Sequence, residues 1–412
     1  MIAKKLAAAE KFWIAGHGDE GRASERFLKK HFPKTPIEIV DSIHAPVKFE
    51  PGIWIISPGI PRKFFETIPA ENQTSGTEIF FGLLSNAERK KVIGVSGTKG
   101  KSTTVKFISE LLQNAGKKAV AAGNFGVPLL EIVDDFQAGK INFVVAELSS
   151  YQLERLKTSP GIAIFLNLFP DHLDRHGTTE NYFRAKSNLW QHQKPDDFLI
   201  SPEPVGMHLS MMNPPGRLIL SQPLEASLFA EDSVFRAPHF LQNFGTAQSL
   251  RQILKLPEAA IKKTATAFEG LPHRLEFFAE IGKQKFYDDS ICTNPESAIA
   301  TVQFFSGKLA AIVLGGQDRG MDFGSLGKAL RMLAPRALVI VLKAETETRI
   351  LQMCEAEGLN FVRVKSMAEA AEIIGKKAPT GSVVLCPGAP SYDQYKNFRE
   401  RGEAWKQAVK NR

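Results

Sequence analysis

Cysteine is nearly absent from these 412 residues: Cys292, Cys354 and Cys386 are scattered, without CxxC or metal-ligand spacing. That argues against a disulfide-built secreted scaffold and suits a reducing compartment, so a cytoplasmic location is expected. No run of roughly 18 uninterrupted apolar residues occurs, and no membrane span is expected. The first residues carry Lys4 and Lys5 but meet Glu10 and Lys11 before any long apolar region, unlike a secretory leader. Nothing repeats at a fixed period, and low-complexity tracts are missing. Basic residues exceed acidic ones, 52 to 44, yet no basic stripe is interleaved with aromatics. Nucleic acid is therefore not an expected partner, whereas an anionic small substrate accounts for the charge balance.

What remains is an ordinary globular composition, 43% hydrophobic and 23% charged, in a chain long enough for two or three domains. Short apolar runs alternate with helical patterns, which predicts an α/β protein with parallel sheets and ligands at the carboxyl ends of the strands. The runs Lys11–Ala15, Ile37–Val40 and Ile53–Ile56 read as strands; so do Phe143–Ala146, Ile162–Leu166, Ala310–Leu314, Ala337–Leu342 and Ser382–Leu385. The polar stretch Ser85–Lys91 reads as a linker, and Gln193–Pro238 as irregular structure with a few short strands. A helix is predicted over Glu258–Phe268, with a boundary near Leu271–Arg274.

The most specific chemistry lies between Val95 and Thr104. An apolar run (Val92, Ile93, Val95) enters a glycine loop, Gly97-Thr-Lys-Gly100, which opens a helical pattern at Lys101, Ser102 and Thr103. That layout aims backbone N–H groups and a helix N-terminus at a phosphate; Lys101 would reach the outer phosphates and Ser102 would face magnesium. Val95 stands where the strict pattern has glycine. A second loop, Gly16-x-Gly18-x-x-Gly21 with Asp41 twenty residues on, fits a dinucleotide fingerprint, another nucleotide site or a plain turn. Asp19 and Glu20 inside it are awkward for a pyrophosphate. Glu147 ends a buried run and is either a magnesium-holding acid or a solvated loop acid. The segment Asn167–Gly177 packs two aspartates and two histidines, for which metal binding and structural hydrogen bonding both stay open.

Taken together, five segments in this order resemble the Mur ligase family. They are GTKGKST (97–103), ELSSYQLE (147–154), DHLDRHG (171–177), GLPHRLE (270–276) and PSYDQYKNF (390–398), and the resemblance covers nearly the whole chain. It implies three α/β domains: a Rossmann-like UDP-binding domain (1–90), a central P-loop ATPase with a mostly parallel sheet (91–271), and a Rossmann-like C-terminal domain (272–412). The implied reaction is ATP-dependent addition of glutamate, D-glutamate in the first instance, to UDP-N-acetylmuramoyl-L-alanine through an acyl phosphate. Implied partners are that UDP-sugar and glutamate, and the expected assembly is a monomer.

The resemblance also assigns roles. Gly16, Gly18, Gly21, Asp41, Ser57, Gly59, Asn124 and His172 would hold the UDP substrate. Gly97, Thr98, Lys99, Gly100, Lys101, Ser102, Thr103, Asn243, Arg274 and Asp289 would hold ATP. Ser102, Glu147, His172 and Lys186, the last as a carbamate, would serve two magnesium ions. Lys101, His172, Lys186 and Arg274 would be catalytic, and Thr293, Arg319, Ser391 and Phe398 would hold the amino acid. Ile291 stands where many members have lysine, Phe240 where asparagine is frequent, and Arg319 where some have lysine. A relative adding L-glutamate or another amino acid is the alternative within the family. An NAD-dependent dehydrogenase built on Gly16–Gly21 is the alternative outside it, and it leaves Lys101, Glu147, His172 and Lys186 unexplained.

Overall fold

Apolar runs of four to six residues, bounded by glycine and polar turns, become buried parallel strands. A computed structural model describes residues 2–41, 47–231 and 233–412. The chain divides into two units, Met1–Phe268 and Glu269–Arg412, and each adopts the expected α/β class.

The first unit holds two sheets. In one, β1 (Phe12–Ala15), β2 (Ile37–Val40), β3 (Ile53–Ile56) and β4 (Gln73–Thr74) run parallel in the order β2-β1-β3-β4. The two-residue period of a strand sorts its side chains. Phe12, Ile14, Ile53 and Ile55 enter a core shared with the second sheet. Trp13 and Trp54, stacked at 4.9 Å, pack the opposite face with Phe65 and Ile68.

The second sheet contains β5 (Val92–Ser96), β6 (Ala119–Gly123), β7 (Phe143–Glu147), β8 (Ile162–Phe165), β9 (Phe198–Pro202) and β10 (Arg217–Ser221). All run parallel, in the order β10-β9-β8-β5-β7-β6. β5 therefore lies between β7 and β8, so the loops leaving the carboxyl ends of all three converge, the usual place for a ligand in such a sheet.

The second unit has one sheet: β11 (Glu276–Ile281), β12 (Gln284–Asp288), β13 (Leu309–Leu314), β14 (Leu338–Leu342), β15 (Phe361–Val364) and β16 (Gly381–Leu385), ordered β11-β12-β16-β13-β14-β15. Only β11 is antiparallel.

Two segments are more ordered than their composition predicts. Ser85–Lys91, the connection into β5, is not irregular: Ser85 and Glu88 form a reciprocal cap on the turn Asn86–Arg89. Arg89 is then buried and grips both oxygens of the buried Asp197 at 2.8 and 2.9 Å. Gln193–Pro238 supplies two full sheet strands, β9 and β10, with the helix Glu203–Ser210 between them. The few short strands expected there are present, at one edge of the main sheet; the prolines do not break it, because Pro202 closes a strand and Pro204 sits in the first turn of that helix, where its missing N–H costs nothing.

Candidate active site

The loop after β5 is held by a residue from the neighbouring strand. Asn167, just beyond β8, accepts through Oδ1 from the N–H groups of Thr98 (3.0 Å) and Lys99 (2.9 Å), and its Nδ2 donates to Lys99 O. Thr98 Oγ1 in turn accepts from Phe169 N and from the Tyr182 hydroxyl. Gly100, with φ of 85°, caps the helix Lys101–Asn114 without any side-chain cap. A Cβ there would stand 2.3 Å from Asn243 Nδ2, so glycine is required and Asn243 lies directly against the loop. Ser102 is half-buried in the first turn and Thr103 is buried beside it.

Two lysines converge on this loop. Lys101 Nζ donates to Gly97 O (3.1 Å) and Thr98 O (3.0 Å), while Lys186 Nζ donates to the same Gly97 O (2.8 Å). Lys186 is 1% exposed, over the Tyr182 ring. Burial, with the Lys101 charge behind it, pulls its pKa from 10.5 to about 7. Much of its population is thus a neutral, nucleophilic amine near neutral pH.

Glu147, at the end of β7, is 2% exposed, so it is not the solvated loop acid. Asn124 Nδ2 donates to its Oε1 at 2.6 Å, but Oε2 is buried with no hydrogen-bond partner among the described residues. A buried carboxylate oxygen left without a donor is where a cation fits.

The aspartate–histidine segment divides its labour. His176 is buried, with Nε2 3.1 Å from Ser150 Oγ, and burial lowers its pKa. Arg175 donates to Ile60 O and pairs with Glu154. His172 instead is exposed, left-handed at φ of 53°, with Nδ1 3.0 Å from the Tyr151 hydroxyl. That contact orients the ring while its other nitrogen remains on the exposed edge.

At the first sheet, Asp41 Oδ1 accepts from His17 N (2.9 Å) and Ser57 Oγ donates to Gly16 O (2.8 Å), closing the loop over the strand ends. Gly21 is obligatory, since a Cβ would lie 2.0 Å from Gly16 O; Gly18 and Gly59 have open space at that position. The two loop acids do not crowd the helix end. Asp19 is exposed and paired with Arg22, while Glu20 turns inward to accept from Gln152 Nε2 at 2.5 Å. Burial raises the Glu20 pKa.

In the second unit the candidate residues gather at the carboxyl ends of the adjacent strands β12, β16 and β13. Asp289 and Thr293 follow β12, Ser391 follows β16, and Arg319 follows β13 on an exposed turn. The Asp289 carboxyl is turned inward, accepting from Thr301 Oγ1 (2.8 Å) and Leu275 N (3.2 Å), and burial raises its pKa to about 7. Sequence reasoning missed Arg401. It is 1% exposed and donates to Ser290 Oγ, Ser290 O, Ala389 O and Pro390 O, which ties the loops after β12 and β16 together. Phe398 belongs to the same knot through its carbonyl, which accepts from Ser290 Oγ. Asn167 was missed as well, because an asparagine after a strand carries no signal of its own.

The "Mur ligase middle domain" family matches residues 95–209, and the "Mur ligase, glutamate ligase domain" family matches 273–389. A UDP-N-acetylmuramoylalanine--D-glutamate ligase of Caldanaerobacter subterraneus subsp. tengcongensis is 31% identical over 378 residues, covering 86% of this chain and 83% of that one. The chain belongs to the Mur ligase family. Its members are ATP-dependent, amide-bond-forming ligases. The enzyme of the same name from Geobacillus kaustophilus is 28% identical to this Mur ligase over 91% of the chain and 85% of the relative. Among solved structures, UDP-N-acetylmuramate-alanine ligase MurC from Thermotoga maritima aligns with a TM-score of 0.59 at 17% identity, covering 97% of this Mur ligase and 99% of that chain. MurF from the same organism, in complex with ADP, aligns at 0.58 and 15%, covering 98% and 97%. At such identities the likeness is one of fold. Within this Mur ligase, Phe240 is a core residue. Its ring packs on Phe235 at 5.3 Å in a cluster with Phe229, Phe244 and Phe268, which accounts for an apolar residue at that position.

Proposed function

We propose that this Mur ligase joins D-glutamate to the L-alanyl carboxylate of UDP-N-acetylmuramoyl-L-alanine, in the cytoplasm and as a monomer, forming ADP and phosphate. The substrate pair rests on the names of the relatives. The chemistry rests on one observation: two lysines share the Gly97 carbonyl within a loop whose neighbour, Glu147, keeps a buried unpaired oxygen. An anion and a divalent cation are the ligands such a loop is built for.

A carboxylate is a poor electrophile, so it is first phosphorylated; glutamate's amine then attacks the acyl phosphate and phosphate departs. Asn167 holds the N–H groups of Thr98 and Lys99, so Gly100 and the helix start at Lys101 present theirs to the triphosphate; Lys101 neutralises its outer oxygens, and Asn243 meets the nucleotide side of the loop. Ser102, Glu147 and His172 would hold magnesium, which would supply charge neutralisation at the transferring phosphoryl group. Lys186, as a neutral amine, adds to carbon dioxide, giving a carbamate and releasing one proton. The product would place two anionic oxygen ligands where a nitrogen base stood, which suits magnesium. Gly16, Gly18, Gly21, Asp41, Ser57, Gly59 and Asn124 hold the UDP-sugar. In the second unit, Arg274 and Asp289 serve ATP, and Thr293, Arg319, Ser391 and Phe398 serve the amino acid, with Arg319 offering a forked cation for a carboxylate.

The test is phosphate release from UDP-MurNAc-L-Ala, ATP and Mg²⁺ with each glutamate enantiomer. Release with D-glutamate, lost in Lys101→Ala, is expected; silence with both enantiomers would refute the reading. Release with L-glutamate alone selects the alternative within the family. Lys186→Ala should lose activity that short carboxylates partly restore, and indifference to that change removes the carbamate.

A further inference from the structure

Glu147 and His172, two of the side chains proposed above for magnesium, come from opposite neighbours of β5: Glu147 ends β7 and His172 follows β8. Glu147 is held by burial and by Asn124. His172 is not buried. It is exposed, its backbone is left-handed, and its ring makes a single side-chain hydrogen bond among the described residues, with the Tyr151 hydroxyl at 3.0 Å. Without that bond the ring would be free to turn about its side-chain torsions and present either nitrogen to a ligand.

Tyr151 is built to remove that freedom. It lies on the turn Ser150–Leu153, which Ser149 and Gln152 cap reciprocally. Its ring is half-buried, stacked on His176 at 5.7 Å, with the Arg175 guanidinium 4.7 Å from its centre. Both neighbours are themselves anchored: His176 Nε2 lies 3.1 Å from Ser150 Oγ, and Arg175 donates to Ile60 O at 2.7 Å. The Tyr182 ring also approaches His172, at 6.1 Å, but its hydroxyl is committed to Thr98 Oγ1. The Tyr151 hydroxyl is thus a fixed point on the loop that leaves Glu147, and it takes up Nδ1 of a histidine on the loop after β8.

We propose that Tyr151 is a positioning residue for metal binding: by occupying Nδ1 it leaves Nε2 of His172 as the nitrogen that faces the cation, and it ties the His172 loop to the Glu147 loop. The inference rests on the reading of His172 as a magnesium ligand. A neutral imidazole that offers the Nε2 lone pair carries its proton on Nδ1, and the phenolic oxygen can accept that proton. A partner on the far nitrogen fixes both the tautomer and the orientation of a ligating histidine. A phenylalanine ring would pack in the same place and do neither.

Tyr151→Phe therefore tests the hydroxyl alone. In magnesium-free full-length protein, nitrogen-15 NMR of the histidine side chains, with the His172 signals identified by their loss in His172→Gln, should show both ring nitrogens of His172 shifted in Tyr151→Phe. In phosphate release from UDP-MurNAc-L-Ala, ATP and D-glutamate, the Mg²⁺ concentration for half-maximal rate should rise roughly tenfold in the variant, while KM for D-glutamate and the melting temperature change little. Unmoved His172 shifts overturn the proposal. So does a fall in kcat at an unchanged Mg²⁺ requirement with a lower melting temperature, which would make the contact purely structural. A Mg²⁺ requirement unchanged in Tyr151→Phe while His172→Gln raises it or abolishes activity overturns the positioning role alone. If neither variant changes it, His172 is no ligand, and that reading falls together with the proposal.

Discussion

Replacing Lys186 by methionine separates its electrostatics from its volume. In the native chain the group titrates near 7 instead of 10.5, a displacement worth roughly 4–5 kcal/mol. Between those two values the unfolded chain carries a proton that the folded chain has released, so native stability rises with pH at about 1.4 kcal/mol per unit. The methionine variant lacks this dependence. In carbon-dioxide-depleted buffer the variant's advantage should be greatest near pH 7 and below, and it should shrink by roughly 2.5 kcal/mol on going to pH 9. Urea unfolding followed by tryptophan fluorescence reads this directly, because Trp13, Trp54 and Trp190 all lie in the first unit. The sign matters as much as the size. A buried lysine kept charged by a partner would show the opposite trend. Parallel pH profiles for the two proteins would refute the claim that Lys186 is held near 7.

Arg89→Met leaves Asp197 buried without its cation and should cost about 3–5 kcal/mol in urea unfolding, with much of it recovered when Asp197→Leu is added; equal loss in the double variant would refute the pairing. Gly21→Ala forces a Cβ onto Gly16 O and should raise KM for the UDP-sugar at least tenfold with little change for ATP; unaltered KM would show the loop can yield. Asp289 titrates near 7 in the folded chain, above its ordinary 3.8, so it holds a proton there that the unfolded chain lacks, and second-unit stability falls as pH rises from about 4 to 7. Asp289→Asn should thus gain more over the native protein at pH 7 than at pH 5 in thermal unfolding, and an equal gain at both would refute this.

Strand positions were legible because aliphatic runs between turn residues have few other outcomes, and the glycine loop was legible because a tight strand-to-helix turn, with Gly97 and Gly100 both at positive φ, restricts its sequence. What stayed hidden depends on direction. Asp19 and Glu20 are adjacent acids in one helix turn, yet one meets solvent and the other meets Gln152 from the short helix Ser150–Leu153 after β7. Nothing in the composition of Ser85–Lys91 separates a linker from a capped turn, until Asp197, more than a hundred residues later, is known to await Arg89. Asn167 and Arg401 escaped for a related reason. Each works by tying loops from different strands, which requires the strand order β8-β5-β7 or β12-β16-β13 to be in view. Cys292 and Cys386, scattered in sequence, likewise come within 4.8 Å of each other and of Asp289 only in the folded unit.

The Gly97 carbonyl is shared by Lys101 and Lys186. Two ammonium groups hydrogen-bonded to one oxygen repel each other by about 1–4 kcal/mol, depending on how far solvent screens them. The repulsion has two ways out. Lys186 can lose its proton, which its burial already favours, or an anion can enter between the two charges. A triphosphate takes the second route and would raise the affinity of Lys186 for its proton. A carbamate takes the first to its end, since it replaces a cation by an anion and turns repulsion from Lys101 into attraction. Triphosphate and carbamate together would restore excess negative charge, and the unpaired Glu147 oxygen adds to it. Divalent cations would then be needed for charge balance, which makes Lys186, Glu147 and Lys101 one coupled electrostatic unit.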